Sequence, residues 1–390
     1  MDTKRVSQLE NYVRRLNDGE DGLKLYHEYQ AEITSVTPME TLELMNNRLL
    51  KGESVATILD NLEKFMHVFS QSHKKHIIPS FAEGSFLGTL QKENEVLRQK
   101  LDDTRKVIMR RDYSADKAIF LTFIDDLEKF NPHYLKKENL LFPVLEIKQE
   151  RFAGLKIMWE LHDAIRKQIK DCKSLLTKTE MDNKAIDYQL GILYFALYGN
   201  IEKEERILFP LAFELLNQEE MVSLLEESFE YGFPFINIPP KHSTHKENNL
   251  PEGIFKTDTG TLTNTQLLAV FSSLPVDLTF VDADDKVRFF SKAKERIFPR
   301  TPAILGRDVR NCHPPGSVHV VLDIIDSFRK GEQDSATFWI QMGEKFILIQ
   351  YYALRGPEQQ YLGTLEVSQD VTEIRTLEGQ KRILSWKADK

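Results

Sequence analysis

Asn131-Pro132-His133-Tyr134-Leu135-Lys136-Lys137-Glu138-Asn139-Leu140-Leu141-Phe142-Pro143 and, later in the chain, Lys203-Glu204-Glu205-Arg206-Ile207-Leu208-Phe209-Pro210 are the stretches that decide the fold. Each runs from charged residues into an apolar Leu-Phe-Pro close, the frame of a helical bundle built to hold a metal. Such a frame needs several histidines, yet between Ser85 and Leu215 there are only two, His133 and His162.

Working outward, apolar residues recur at helical spacing on both sides. Leu90, Leu97 and Leu101 open one helix, and Ala118–Phe130 supplies a second apolar run. Leu155, Met158, Trp159, His162, Ile165 and Ile169 share a face on a third. Ile192, Phe195 and Ala196 lead into a fourth. Long helices with short connections predict an up–down four-helix bundle over residues 81–232. Residues 1–80 read as shorter helices: Leu9, Val13 and Leu16, then Leu42, Met45 and Leu49, then a stripe from Val55 to Phe69 capped by Ser54. Pro234, Pro239, Pro240, Pro251, Gly253 and Gly260 mark 233–262 as a linker.

Beyond Thr263 the period changes. Asp277–Asp282 and Val287–Phe290 are strand-like around the turn Ala283-Asp284-Asp285-Lys286, and Ala336–Ile340, Phe346–Tyr352 and Tyr361–Val367 give further strands. The order predicts an α+β domain with an antiparallel sheet over 263–376, followed by an amphipathic helix at 377–390. The expected protein is multidomain: an all-α N-terminal module, a four-helix bundle and an α+β domain.

Composition narrows the function. The chain has 390 residues, 41% hydrophobic, with a net charge of −8. Such a balance opposes nucleic acid as main partner, since phosphate binding requires a basic face. Two cysteines, Cys172 and Cys312, suit a reducing cytoplasm better than a disulfide framework. The N-terminus lacks the apolar run of a signal peptide, and no stretch is apolar for long enough to span a membrane. No phosphate loop and no nucleophile–base arrangement appears, so an enzyme is not expected.

The C-terminal segment Leu274–Trp386 resembles a PAS domain of the kind attached to DUF438 and hemerythrin-like (HHE) modules in bacteria. The matching residues are Leu274-Pro275-Val276-Asp277, Val281-Asp282, Gly306-Arg307-Asp308-Val309, Cys312-His313-Pro314-Pro315-Gly316-Ser317-Val318-His319, Phe338-Trp339, Tyr361–Glu366 and Gln369–Thr372. Residues 3–75 resemble the DUF438 module and 85–230 the hemerythrin-like one. The resemblance implies a cavity between the PAS sheet and its helices, holding a small ligand; Cys312, His313, Ser317, His319 and Trp339 are its candidate contacts. Haem ligation through His313 or His319 is an alternative, and so is plain packing of all these residues. Signal output would pass through helix packing to a protein partner or a homodimer mate.

For the bundle, the resemblance implies an iron centre responsive to oxygen or nitric oxide, with His and Glu paired four residues apart. Here His133 is followed four residues on by Lys137, and Glu204 is preceded by Asn200; Gly84–Gly88 replaces the family's histidine-bearing start, while Lys92-Glu93-Asn94 survives. His133, His162 and Glu204 remain as candidate metal ligands, aided by Glu93 or Glu138. A lysine opposes metal binding, so the expectation is a cytoplasmic sensor whose bundle has lost most of its metal ligands. The alternative is a functional non-haem iron protein. His67 matches a histidine position of the DUF438 module, with interface packing as its expected role.

Overall fold

The structure, a computed structural model, describes residues 2–75, 79–148, 154–239, 253–292, 296–313 and 315–380, apart from the side chains of 60–64, 66–67 and 315. Residues Met1–Thr244 and His245–Lys390 form two compact units. The side chain of His67, Pro314 and residues 381–390 lie outside the described residues.

The first unit is helical. Asp2 caps α1 (Thr3–Asn17) by accepting from the Lys4 and Arg5 amides. Short helices α2 (Gly22–Glu28) and α3 (Gln30–Ile33) lead to α4 (Pro38–Leu50), which starts with a reciprocal Thr37–Glu40 capping box and Pro38 in its first turn. Ser54 caps α5 (Val55–His73) through the Thr57 amide. The core of these helices gathers Leu9, Tyr12, Val13, Leu25, Leu44, Ile58, Phe65 and Phe69, and it also takes in Ile157, with Leu161 packed against it. Both belong to α10 (Leu155–Thr177) of the bundle. The N-terminal helices therefore share a core with the bundle instead of standing apart from it.

The bundle itself is α6 (Phe86–Ile108), α7 (Lys117–Lys129) continued by α8 (Asn131–Lys136) and α9 (Phe142–Lys148), then α10, and α11 (Asn183–Lys203) continued by α12 (Phe209–Leu215). Its core includes Leu97, Leu101, Phe120, Ile124, Phe130, Ile165, Ile169, Leu190, Leu193 and Leu197. Two helices are interrupted alike: Lys137–Leu141 and Glu204–Leu208 are π-helical turns. Pro143 and Pro210 have no amide hydrogen to give the carbonyl one turn back, so the helix widens before each. Phe142 donates to the Lys137 carbonyl and Phe209 to that of Glu204. The Leu-Phe-Pro frame thus sets a matched pair of π turns whose first residues are Lys137 and Glu204. On α11 the buried face is set by Ile186, Leu190, Leu193 and Leu197, and Phe195 is 60% exposed.

In the second unit, the expected linker ends in a hairpin of β1 (Ile254–Thr257) and β2 (Gly260–Thr263), followed by α14 (Asn264–Ser273), numbered after α13 (Gln218–Ser228) of the first unit. The strands β3 (Asp277–Asp282), β4 (Val287–Phe290), β5 (Ser335–Met342), β6 (Lys345–Arg355) and β7 (Tyr361–Asp370) form an antiparallel sheet in the order β4-β3-β7-β6-β5. The core brings Val281, Val287, Ile304 and Val309 together with Val321 and Ile325 of α15 (Pro315–Lys330). Asp277 ties down the chain after β4 by accepting from the Ile297 amide at 2.8 Å. Thr372 accepts from the Phe346 amide at 2.7 Å, sealing the end of the sheet. Of the expected C-terminal helix, residues 377–380 are not helical.

Candidate functional site

The bundle's charged residues meet in its dry centre. Glu93 and Asn94 come from α6, His133 and Lys136 from α8, Lys137 and Glu138 from the first π turn, His162 from α10, Asn200 from α11 and Glu204 from the second π turn. Each of these is at most 3% exposed. His133 bridges two carboxylates, with Nδ1 at 2.7 Å from Glu93 and Nε2 at 2.9 Å from Glu204. Lys136 is bonded to Glu93 and Lys137 to Glu204. The result is a chain Lys136–Glu93–His133–Glu204–Lys137. Asn94 and Asn200 donate to Glu204 at 2.9 and 2.6 Å, so both its oxygens are taken. Beside this chain, His162 Nδ1 lies 2.7 Å from Glu138, and Nη2 of Arg166 donates to both Glu138 oxygens at 2.9 Å.

Burial dominates the electrostatics. It lowers His133 well below the usual imidazole value, with Lys137 and Lys136 adding to the effect, and lowers His162 to about 3. It raises the Glu93 carboxyl to about 7 against the pull of Lys136. Burial also pushes Glu138 upward, but the hydrogen bond from His162 and the Arg166 charge outweigh it and hold that carboxyl at about 2. A neutral His162 therefore donates from Nδ1 to the Glu138 carboxylate. Its Nε2 then faces inward with no hydrogen-bond partner, 3.9 Å from Glu204.

The residues present do not fit a metal. His133 has both ring nitrogens engaged, and the ammonium groups of Lys136 and Lys137 stand against the two carboxylates a metal would use. The carboxylates Glu93, Glu138 and Glu204 already face Lys136, Lys137 and Arg166. A dication added to this dry core would have to displace the partners these carboxylates already hold. Among the described residues, no three His, Cys, Asp or Glu side chains converge as a metal site. The structure does bring His133, His162 and Glu204 together, but beside the Lys137 amine, which burial lowers well below the usual lysine value. Lys136 and Arg166 were missed as members of the cluster. Their signal was faint: each charged side chain lies three or four residues from an inward histidine, at Lys136 after His133 and Arg166 after His162.

The comparisons agree with this architecture. Residues 85–212 match the family described as hemerythrin HHE cation binding domain, and 267–372 match a PAS domain family. The chain joins a hemerythrin HHE domain to a PAS domain. No curated protein matches it. Among solved structures, the C-terminal domain of a Streptococcus mutans protein is 29% identical, with 33% of this chain and 98% of that one covered and a TM-score of 0.31. A PAS domain of a Colwellia psychrerythraea protein is 18% identical over 28% of this chain and 97% of that one, TM-score 0.23. A sensory box sensor histidine kinase from Vibrio cholerae is 14% identical over 27% and 90%, TM-score 0.22.

In the PAS domain, the predicted ligand contacts do not converge. Trp339 is 63% exposed on the edge strand β5, and Ser317 and His319 are exposed on α15. Alternation along β5 and rotation along α15 turn these side chains away from the core. Cys312 packs against the core, and half-buried His313 is lowered to about 4 by burial and by the charges of Arg300 and Arg307. Sequence reading passed over Arg300. Its largely buried guanidinium lies 3.7 Å from Glu366, while Nε has no hydrogen-bond partner. Thr279, Glu366 and Tyr351 are cross-strand neighbours on β3, β7 and β6, so they share one face of the sheet. Val281, two residues beyond Thr279, places that face against the core. No helix among the described residues is long and apolar enough to cross a membrane.

Proposed function

We propose that the chain is a sensory or regulatory protein in which the PAS domain binds a small molecule and the HHE domain works without metal. The carrying observation is Arg300: a guanidinium donor, out of water and without an acceptor, asks for a carboxylate, phosphate or carbonyl oxygen. Tyr351 and Glu366 lie beside it, and His313 is within its electrostatic reach. Ligand entry would alter the packing of sheet against α15 and pass to a partner protein or a second copy.

The test is native mass spectrometry of freshly isolated chain, with melting curves in a panel of small carboxylates and phosphates. A bound acid, or a rise in melting temperature that Arg300→Gln removes, supports the reading. No bound molecule together with no shift in the panel, or a shift equal in Arg300→Gln, overturns it. A non-haem iron protein is the second reading, favoured by the free Nε2 of His162. About two irons per chain after aerobic isolation would restore it. Haem ligation requires an inward imidazole, a condition His313 meets better than exposed His319.

A further inference from the structure

Helix α11 is apolar on both faces. Ile186, Leu190, Leu193 and Leu197 fill the core, yet Tyr188 is 72% and Phe195 60% exposed on the outside. A helix apolar all round is ordinarily covered all round. The outer stripe reads Lys184, Tyr188, Gly191, Phe195, Tyr198, Glu202, spaced by four, three, four, three and four residues; of these Tyr198 is half-buried, its ring against the bundle core and its hydroxyl donating to Asp102 at 2.5 Å. Such a spacing reads the same in both directions, with its centre at Leu193.

We propose that this stripe is the self-association surface of the protein, pairing the outer face of α11 antiparallel with that of a second copy, the twofold axis lying level with Leu193 along the helix. A twofold contact brings residue i against j and j against i. Run antiparallel, the stripe sets Lys184 against Glu202, Tyr188 against Tyr198, and Phe195 against Gly191, twice over. Each pairing is chemically complementary. Lys184 is exposed in the first turn of α11. Glu202 is exposed and holds Arg206 through Oε2 alone. Gly191 is exposed, with nothing within 4 Å of where a Cβ would stand, so it leaves a hollow for the Phe195 ring. The opposite-charge ends select the antiparallel arrangement, since a parallel pair would put lysine on lysine. One helix pair is a small interface, so the dimer forms reversibly at micromolar concentration.

Sedimentation velocity of the full chain, from low to high micromolar concentration, tests this. The wild type should move toward twice its 45.4 kDa mass as concentration rises. Phe195→Glu should stay monomeric with an unchanged far-UV spectrum, and Tyr188→Glu provides the same test should that variant fold poorly. Lys184→Glu should weaken the dimer at least tenfold, and Lys184→Glu/Glu202→Lys should recover it. A wild type that is monomeric throughout overturns the proposal. So does a Phe195→Glu chain that dimerises like wild type, which would place the contact on another face or another occupant on this one. A double charge swap that fails to recover the loss overturns the antiparallel register.

Discussion

Replacing Lys137 with methionine removes one ammonium from a fully buried ion pair while leaving Glu204 its bonds to His133, Asn94 and Asn200. Methionine fills nearly the same volume, so packing changes little. The cost is the stranded carboxylate, for which about 3–5 kcal/mol is expected. For a unit of this size a loss of 1 kcal/mol lowers the melting temperature by about 2–4 °C, so the drop should be roughly 6–20 °C. Removing both charges, in Lys137→Met/Glu204→Gln, should recover most of it, because nothing is then left unpaired. Circular dichroism melts of the four proteins close a double-mutant cycle. Lys137→Glu/Asn200→His carries the reasoning further: it recreates the His-x-x-x-Glu spacing in both π-turn helices and sets two carboxylates face to face. That protein should be unstable alone and gain stability with manganese(II) or zinc(II), whereas the wild type should not respond. A Lys137→Met chain as stable as wild type, or a wild type stabilised by those metals, would refute the account of the core.

Acid should loosen the HHE domain early. His162 is lowered to about 3 from 6.5 and Glu138 to about 2 from 4.5, so the unfolded chain binds more protons than the folded one. Their stabilisation is complete above pH 6.5 and lost as pH falls toward 2, while Glu93, raised to about 7, opposes the trend between 4.5 and 7. Urea midpoints across that range measure the slope, which Glu138→Gln should reduce. Thiol alkylation at pH 8 should label Cys312 in the folded chain before Cys172, which is buried with its thiol pushed up to about 12; equal rates would contradict the packing. Gly363→Ala should destabilise the PAS domain by at least about 1 kcal/mol, since its φ is +146° and an added Cβ would stand 2.1 Å from the Val281 carbonyl. Chemical denaturation of the full chain reads that loss.

Much of the architecture was legible because it rests on periodicity and punctuation. Ser54, Ser85 and Asp182 cap their helices through side-chain oxygens, as their residue types suggest. The strand pattern from Asp277 to Val367 appears in register. Two kinds of information were hidden. Which face of an apolar helix turns inward depends on its neighbours, and Phe195 shows that hydrophobicity alone does not decide it. Contacts between distant segments were equally invisible: Arg300 meets Glu366 although 66 residues separate them, and Trp339 points outward because it alternates with Phe338 and Ile340 on β5. At the bundle centre, the sequence placed Lys137 where the resemblance implies a carboxylate. It could not show that Glu204, in the other π turn, stands opposite to receive it.

That opposition constrains how the core can change over generations. Lys137 and Glu204 occupy equivalent places in two similar helical segments, so altering either alone leaves the other as a buried, unmatched charge. A change at either position must pass through such an intermediate, poorly folded unless a second substitution arrives with it. The bonded pair therefore acts as a ratchet, each partner holding the other in place against single substitution.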